Sequence, residues 1–334
     1  MDRNAVIVVT GAAGFIGSCL TGYLNRKGYY NIIIVDDFND ESKRHNYDEK
    51  KICARVDREE LFDWLSRYKI RIDFIFHLGA QTNTGQPDYS VYEALNVEYS
   101  KEVWRYCTEK NIPLVYASSD ATYGTGERGY DDNELPENLK PVSSYGISKN
   151  EFDKWALAQS KESNCPAFWA GLKFFIVYGP NEYHKGAMAS AVLRSFQQVR
   201  AEGKIKLYKS HNPGHKNDGR FGDFVYVKDV VDVCYWLLQE SVDDTGKQIS
   251  GLYNVGTGTP RTFDEMAETI FKSLERKTVI EYVDEPQPGQ DNYNHFIKAD
   301  ITKLREAGYR KNFYSLEDGV KTYVQHFLLE NKYY

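Results

Sequence analysis

The sequence predicts an α/β fold, a doubly wound parallel sheet with helices on both faces, joined to a smaller second lobe. Three observations predict it. Short apolar runs rich in Val, Ile and Phe alternate with longer segments of helical period, the order that builds βαβ units. Glycines cluster where the first apolar run turns into the first helix. The chain has 334 residues, more than the roughly 250–300 at which a single core stops growing, so two packed lobes are expected.

The first strand is expected over residues 5–9, an uninterrupted apolar run of the kind a strand buried on both faces requires. A helix over 15–27 leads to a second strand at 31–35. Helices near 58–68, 91–108 and 145–160 then separate strands at 74–78, 114–118 and 171–177. Strand and helix in strict alternation favour a doubly wound sheet. After Tyr178-Gly179-Pro180 the pattern loosens into helices with isolated short strands at 206–208, 224–227 and 252–255. The expected division is therefore residues 1–180 and residues 181–334. No repeat or Pro-rich linker separates the halves, so the lobes are expected to interleave and share a cleft.

Composition bounds the function. Hydrophobic residues make up 41% and charged residues 27%, and no apolar run approaches the roughly 18 residues of a membrane span. Net charge is -6, with basic residues interleaved among acids, which argues against a nucleic-acid partner. The five cysteines (Cys19, Cys53, Cys107, Cys165, Cys234) are scattered and never in CxxC spacing, so neither a disulfide framework nor a zinc site is expected. Met1-Asp2-Arg3-Asn4 runs directly into the first strand, leaving no room for an export signal. A cytoplasmic protein is expected.

Gly11-Ala12-Ala13-Gly14-Phe15-Ile16-Gly17 places glycines at GxxGxxG spacing between strand and helix. Glycine permits the tight turn and lets backbone N–H groups approach a pyrophosphate, which the helix N-terminus also favours. Asp36, with Asp37 beside it, ends the second strand at about the distance where an acid meets the adenosine ribose. Residues 1–180 are therefore expected to be a dinucleotide-binding (Rossmann) domain, and residues 181–334 a substrate-binding lobe. Asp36 can accept from a free 2′-hydroxyl, whereas Lys43, Arg44 and Arg58 can pair with a 2′-phosphate. NADP is the expected cofactor, with NAD the alternative.

Tyr145-Gly146-Ile147-Ser148-Lys149 puts a phenol and an ammonium on one helical face, where the charge can lower the phenol pKa. Tyr47 with Lys51 and Tyr106 with Lys110 share that spacing. Only Tyr145 is matched with a Ser118-Ser119 pair ending a core strand, at the carboxyl edge where open α/β sheets bind ligands. A hydroxyl, a tuned phenol and a nicotinamide are the parts that alcohol oxidation needs.

With these residues in place, the chain resembles the extended short-chain dehydrogenase/reductases that act on nucleotide sugars, over nearly its whole length. Within that branch Tyr116-Ala117-Ser118-Ser119-Asp120-Ala121-Thr122-Tyr123-Gly124, Val177-Tyr178-Gly179-Pro180 and His184-Lys185-Gly186-Ala187-Met188-Ala189-Ser190 are similar to the ADP-glycero-manno-heptose 6-epimerases. The resemblance implies an isomerase that oxidises a hydroxyl to a ketone and reduces it again on the other face. It gives Ser119, Tyr145, Lys149 and Lys185 as catalytic, Lys185 serving the ketone after rotation about the exocyclic C5–C6 bond. It also places Leu78, Gly79, Ala80, Asn96 and Val177 along the cofactor with Gly11, Gly14, Phe15, Ile16, Gly17, Asp36, Asp37, Lys43 and Arg58. Toward the nucleotide sugar it places Arg194, Tyr208, Ser210 and Tyr293, and Ile176, Ala187 and Arg220 are further substrate-side candidates. A homo-oligomer, and a role in lipopolysaccharide biosynthesis, follow from the same resemblance.

The sequence departs from the family's pattern at three positions. Ile176 stands where these epimerases present Asn, and Gly222 where an Arg is expected; Arg220 or Lys216 can supply the missing positive charge. Asp120 replaces a small residue, and an acid there resembles the sugar 4,6-dehydratases, although their second acid is absent because Ala121 follows. A dehydratase or 4-epimerase using the same Ser/Tyr/Lys set is the alternative activity. His77, His184 and His295 show no ligand spacing and are expected to be structural.

Overall fold

The computed structural model describes residues 1–209, 219–241, 249–284 and 296–334. From the N-terminus run β1 (Ile7–Thr10), α1 (Phe15–Arg26), β2 (Ile32–Asp36), β3 (Ala54–Asp57), α2 (Leu61–Tyr68) and β4 (Phe74–His77). A long helical passage follows: α3 (Tyr89–Tyr92), a π-helical stretch (Glu93–Glu98) and α4 (Tyr99–Lys110). Then come β5 (Leu114–Ser119), α5 (Ser144–Lys161), β6 (Trp169–Phe174), β7 (Ile176–Tyr178) and α6 (Ala191–Glu202). The remainder holds β8 (Ile205–Tyr208), β9 (Phe221–Gly222), β10 (Phe224–Tyr226), α7 (Val227–Glu240), β11 (Gly251–Val255), β12 (Arg261–Thr262), α8 (Phe263–Ser273), β13 (Ile280–Val283), α9 (Thr302–Glu306) and α10 (Leu316–Tyr323).

Seven strands form one parallel sheet in the order β11-β6-β5-β4-β1-β2-β3. Successive residues serve opposite faces, as the period of a strand demands. Ile7, Val9, Ile32, Ile34, Phe74 and Phe76 join one core, while Val8, Ile33, Val35 and Ile75 join the other. On the first face α1 meets α7, and Tyr23 donates to Asp232 across that seam. On the second, Trp104 of α4 and Phe152 of α5 lie almost fully buried with Trp169. The chain order reverses between β1 and β4, leaving a crevice beyond the carboxyl ends of these strands.

The doubly wound sheet expected from the sequence is present, with differences of physical origin. β3 is an edge strand, and its mixed Ala-Arg-Val-Asp character carries no apolar run to read. The single strand expected over 171–177 is two. β6 belongs to the large sheet, Phe175 donates to Val255, and Ile176 then turns to pair with β10 in a separate two-stranded sheet. β11, grouped by sequence with the second half, lies at the edge of the large sheet against β6. Among the described residues no helix is long and apolar enough to cross a membrane.

Candidate active site

The glycine loop leaves β1 at the crevice. Gly11 has φ +68°, and a Cβ there would stand 2.6 Å from the backbone N of Gly79, so both conformation and space require glycine. A Cβ on Gly17 would lie 2.2 Å from the Gly11 carbonyl. Helix α1 begins at Gly14 with no side-chain cap and no acid in its first turn. The loop and the N-terminus of α1, around Phe15, Ile16 and Gly17, thus have the shape and polarity that suit a pyrophosphate.

Asp36 is buried at the end of β2, accepting from the backbone N–H of Ala13 at 2.9 Å and of Asp37 at 2.8 Å. It therefore braces the glycine loop, with Lys43 Nζ 3.3 Å from the same oxygen that accepts from Asp37. Arg58 lies 3.7 Å from Asp37, and its buried Nε has no protein partner. An unpartnered guanidinium nitrogen beside two acids and a lysine fits an anionic ligand group. Arg44, by contrast, pairs with Glu41 and Asp48 on the surface.

On the other side of the crevice, Leu78 donates to the Thr10 carbonyl and Gly79 to the Thr10 hydroxyl, with Ala80 next in the chain. Asn96, fully buried in the π-helical stretch, accepts from Gln81 N–H at 2.7 Å and donates to Ser148 Oγ at 2.9 Å. Ser148 in turn donates to the Tyr145 carbonyl. His77 links Thr10 to Ser100; burial and the Lys149 charge push it down to about 3, so the ring stays neutral.

Tyr145, Ser119 and Lys149 meet where α5 crosses the end of β5. Ser143 caps the helix, accepting from Gly146 N–H at 3.1 Å, and Gly146 is needed because a Cβ would lie 2.5 Å from the Ala121 carbonyl. The Tyr145 phenol lies close enough to the Ser119 hydroxyl for Ser119 to favour its ionised form. Burial pushes the phenol up to about 12, Ser119 opposes this and the Asp120 and Asp153 charges add to it, so the lowering by Lys149 expected from the sequence is not what sets it here. Lys149 donates to the Ala117 carbonyl at 3.0 Å, its Nζ 6.0 Å from the centre of the Tyr145 ring. Burial brings this ammonium down to about 8, against the Asp153 charge. Ser119 also donates to Asp120 at 3.1 Å, whose carboxyl burial raises to about 6.

Lys185 sits in the 3-10 turn Tyr183–Met188, its Nζ 5.7 Å from the centre of the Phe15 ring. Burial lowers its pKa and Glu182 opposes the shift. Glu182, fully buried, holds this turn by accepting from the backbone N–H and the hydroxyl of Ser190 and from Gly179 N–H. Lys185 thus lies beside the first turn of α1, next to the glycine loop.

The substrate-side candidates fall into pairs. Arg194 donates to the Ala187 carbonyl at 3.4 Å. Arg220 lies 5.4 Å from the centre of the Tyr208 ring and 5.0 Å from that of Phe263. Val177 and Ile176 are both on β7, half-buried. Ser210 and Tyr293, with Lys216 and His295, lie outside the described residues.

Sequence reasoning missed the layer beneath this site. Asp153 and Lys173 form an ion pair at 2.7 Å and are 0% and 1% exposed. A lysine inside the apolar strand Trp-Ala-Gly-Leu-Lys-Phe, and an acid four residues after Lys149, were the available signals.

The chain matches the model of the NAD dependent epimerase/dehydratase family over residues 7–256. It is 42% identical to the ADP-L-glycero-D-manno-heptose-6-epimerase of Fusobacterium nucleatum, over 98% of this chain and all of that one. It is 38% identical to the protein of that name from Nitratidesulfovibrio vulgaris, over 96% of this chain and 97% of the relative. The crystal structure of Helicobacter pylori ADP-L-glycero-D-manno-heptose-6-epimerase superposes with a TM-score of 0.77 at 25% identity, over 97% of each chain.

Proposed function

The chain belongs to the NAD dependent epimerase/dehydratase family, and from that premise we propose that it inverts C6 of ADP-glycero-manno-heptose, through a 6-ketone that is reduced again on its opposite face. The observation that carries this reading is the 42% identity, across 98% of the chain, to a protein named for that activity. The site supports it: a phenol, a hydroxyl and a buried ammonium converge at the carboxyl edge of the sheet, beside a glycine loop at the switch point.

A nicotinamide cofactor, when bound, supplies a reversible acceptor of hydride. Gly11, Gly14, Phe15, Ile16 and Gly17 hold its pyrophosphate, and Leu78, Gly79, Ala80, Asn96 and Val177 line its path. Lys43 and Arg58, near Asp36 and Asp37, favour NADP over NAD in this proposal, because they offer positive charge where a 2′-phosphate would lie. The cofactor carried by protein purified without added nucleotide is then NADP; finding NAD would reverse that assignment and leave the epimerase reading intact.

Tyr145 takes the proton of the C6 hydroxyl, and Ser119 orients that hydroxyl by hydrogen bonding. Lys149 contributes a positive charge that favours the phenolate. After rotation about C5–C6 the ketone oxygen points elsewhere, and Lys185, its pKa lowered by burial, gives the proton there. Ile176, Ala187, Arg194, Tyr208 and Arg220 are assigned to the nucleotide sugar in this proposal, and Ser210 and Tyr293 are assigned to it by the resemblance alone. Residues 1–180 bind the cofactor and 181–334 the substrate, with β11 returning to the large sheet. The family resemblance also carries a homo-oligomeric state, a cytoplasmic site of action and a role in lipopolysaccharide biosynthesis.

Asp120 favours a second reading, a 4,6-dehydratase, since a carboxyl raised to about 6 beside Ser119 can supply a proton to a leaving hydroxyl. Proton NMR of ADP-D-glycero-D-manno-heptose incubated with the protein decides between them. Inversion at C6 supports the epimerase; a 4-keto-6-deoxy product replaces it with the dehydratase.

A further inference from the structure

The ion pair between Asp153 and Lys173 sits directly under the reacting groups and joins three elements. Asp153, on α5, accepts from Ser118 Oγ at 2.7 Å and Tyr116 OH at 3.0 Å on β5, and from Lys173 Nζ at 2.7 Å on β6. Lys173 also donates to Thr122 Oγ1 at 2.7 Å, and Thr122 donates onward to the Ser119 carbonyl at 2.8 Å. Thr122 belongs to the 3-10 turn Asp120–Tyr123, whose N-cap is Ser119. Every partner in this network is buried.

A buried ion pair is an expensive way to hold a core together, because the desolvation of two charges offsets their attraction, and apolar residues of similar size often serve as well. Its place explains its presence better than stability does. We infer that Asp153 and Lys173 are positioning residues, which fix the turn bearing Ser119 against the helix bearing Tyr145 and Lys149 and keep a negative charge one helical turn behind the Lys149 ammonium. The inference rests on the roles proposed above for Ser119, Tyr145 and Lys149.

The groups around Lys149 agree with this assignment. From its own helix it faces Tyr145 and Asp153, from β4 the neutral His77, and from β5 the Ala117 carbonyl. Asp153 is the charge that resists the fall of the Lys149 pKa on burial. Remove it and the ammonium loses protons at lower pH.

Two measurements on the full chain test the proposal. The first follows the Lys149 ε-ammonium by NMR in lysine-labelled protein, which requires no substrate. The wild type is expected to titrate near 8, and Asp153→Asn about one unit or more lower. The second uses Thr122→Val, which keeps the ion pair and cuts its link to the Ser119 segment. Its kcat for C6 inversion is expected to fall between about tenfold and a hundredfold, with KM within about threefold of wild type. Lys173→Met is expected to lower kcat in the same way. An unmoved Lys149 titration in folded Asp153→Asn, or wild-type kcat in folded Thr122→Val, overturns the inference. If Asp153→Asn does not fold, Thr122→Val decides alone. A wild-type chain that leaves the heptose unchanged while the Lys149 shift appears defeats the functional reading and supports the electrostatic half of this one.

Discussion

Ile176 fills the space beside Gly222: a Cβ on Gly222 would stand 2.7 Å from Ile176 Cδ1. Ile176 and Gly222, the positions where the resemblance leads to an expectation of Asn and Arg, are therefore direct neighbours across β7 and β9.

That contact predicts coupling. Gly222→Arg alone is expected to destabilise by about 1–3 kcal/mol through overpacking. In the double variant Ile176→Asn with Gly222→Arg, the loss is expected to be smaller than the sum of the two single losses by at least about 0.5 kcal/mol. Urea denaturation of the four proteins measures this, and strict additivity removes the claim that the two positions are energetically coupled.

Tyr145→Phe keeps the ring and deletes the proton-bearing oxygen. Turnover is expected to fall by about 10²–10⁴-fold, with the thermal midpoint near that of wild type. The role proposed for Lys149 requires its protonated form, and burial sets it near 8, so wild-type kcat is expected to decline as pH rises above about 8. A pH profile flat to 9.5 contradicts that role for Lys149.

Asp120 makes a prediction about stability. Burial raises its carboxyl to about 6, with Asp223 adding to the rise while Ser119, the Ala121 N–H and Lys173 oppose it. The folded state therefore holds this proton more tightly than the unfolded chain, where aspartate titrates near about 3.9. The resulting stabilisation is complete below the unfolded value and is lost as pH rises through about 6. Asp120→Asn has no such loss, so its melting temperature relative to wild type is expected to increase between pH 4.5 and pH 8. A constant difference across that range shows that Asp120 does not titrate there.

Gly17→Ala sets a Cβ against the Gly11 backbone, at 2.2 Å from its carbonyl oxygen. Neither side of that contact is a flexible side-chain end, so the loop must shift. The purified variant is expected to carry less than about a tenth of the wild-type complement of nicotinamide cofactor, a change of about 1.4 kcal/mol or more in binding. Full retention, measured by absorbance of the released nucleotide, argues that the loop is not the pyrophosphate cradle.

Much of this was legible in sequence because the relevant residues sit in local patterns. The glycine loop declares itself by spacing and by its place after β1, and the Tyr145–Lys149 pair by helical period. Ser119 was legible because it ends a strand whose apolar run is unambiguous. The buried pair of Asp153 and Lys173 was not, since its partners come from α5 and β6 and only the sheet order brings them together. The break at Phe175 was hidden for a related reason: the apolar stretch Phe174-Phe175-Ile176-Val177 that spans it does not reveal that its two parts pair with different strands. Lys185 was found through resemblance to a family, and its position over Phe15 could not have been read from its neighbours in sequence.

In the proposed reaction C6 loses a hydride and regains the same one within a single site. The most direct test is turnover of ADP-D-glycero-D-manno-heptose deuterated at C6, in ordinary water and with no cofactor added, followed by NMR of the product. Inverted product that keeps its deuterium at C6 is expected. Inverted product in which solvent hydrogen has replaced the deuterium means that C6 is deprotonated instead, and contradicts the account.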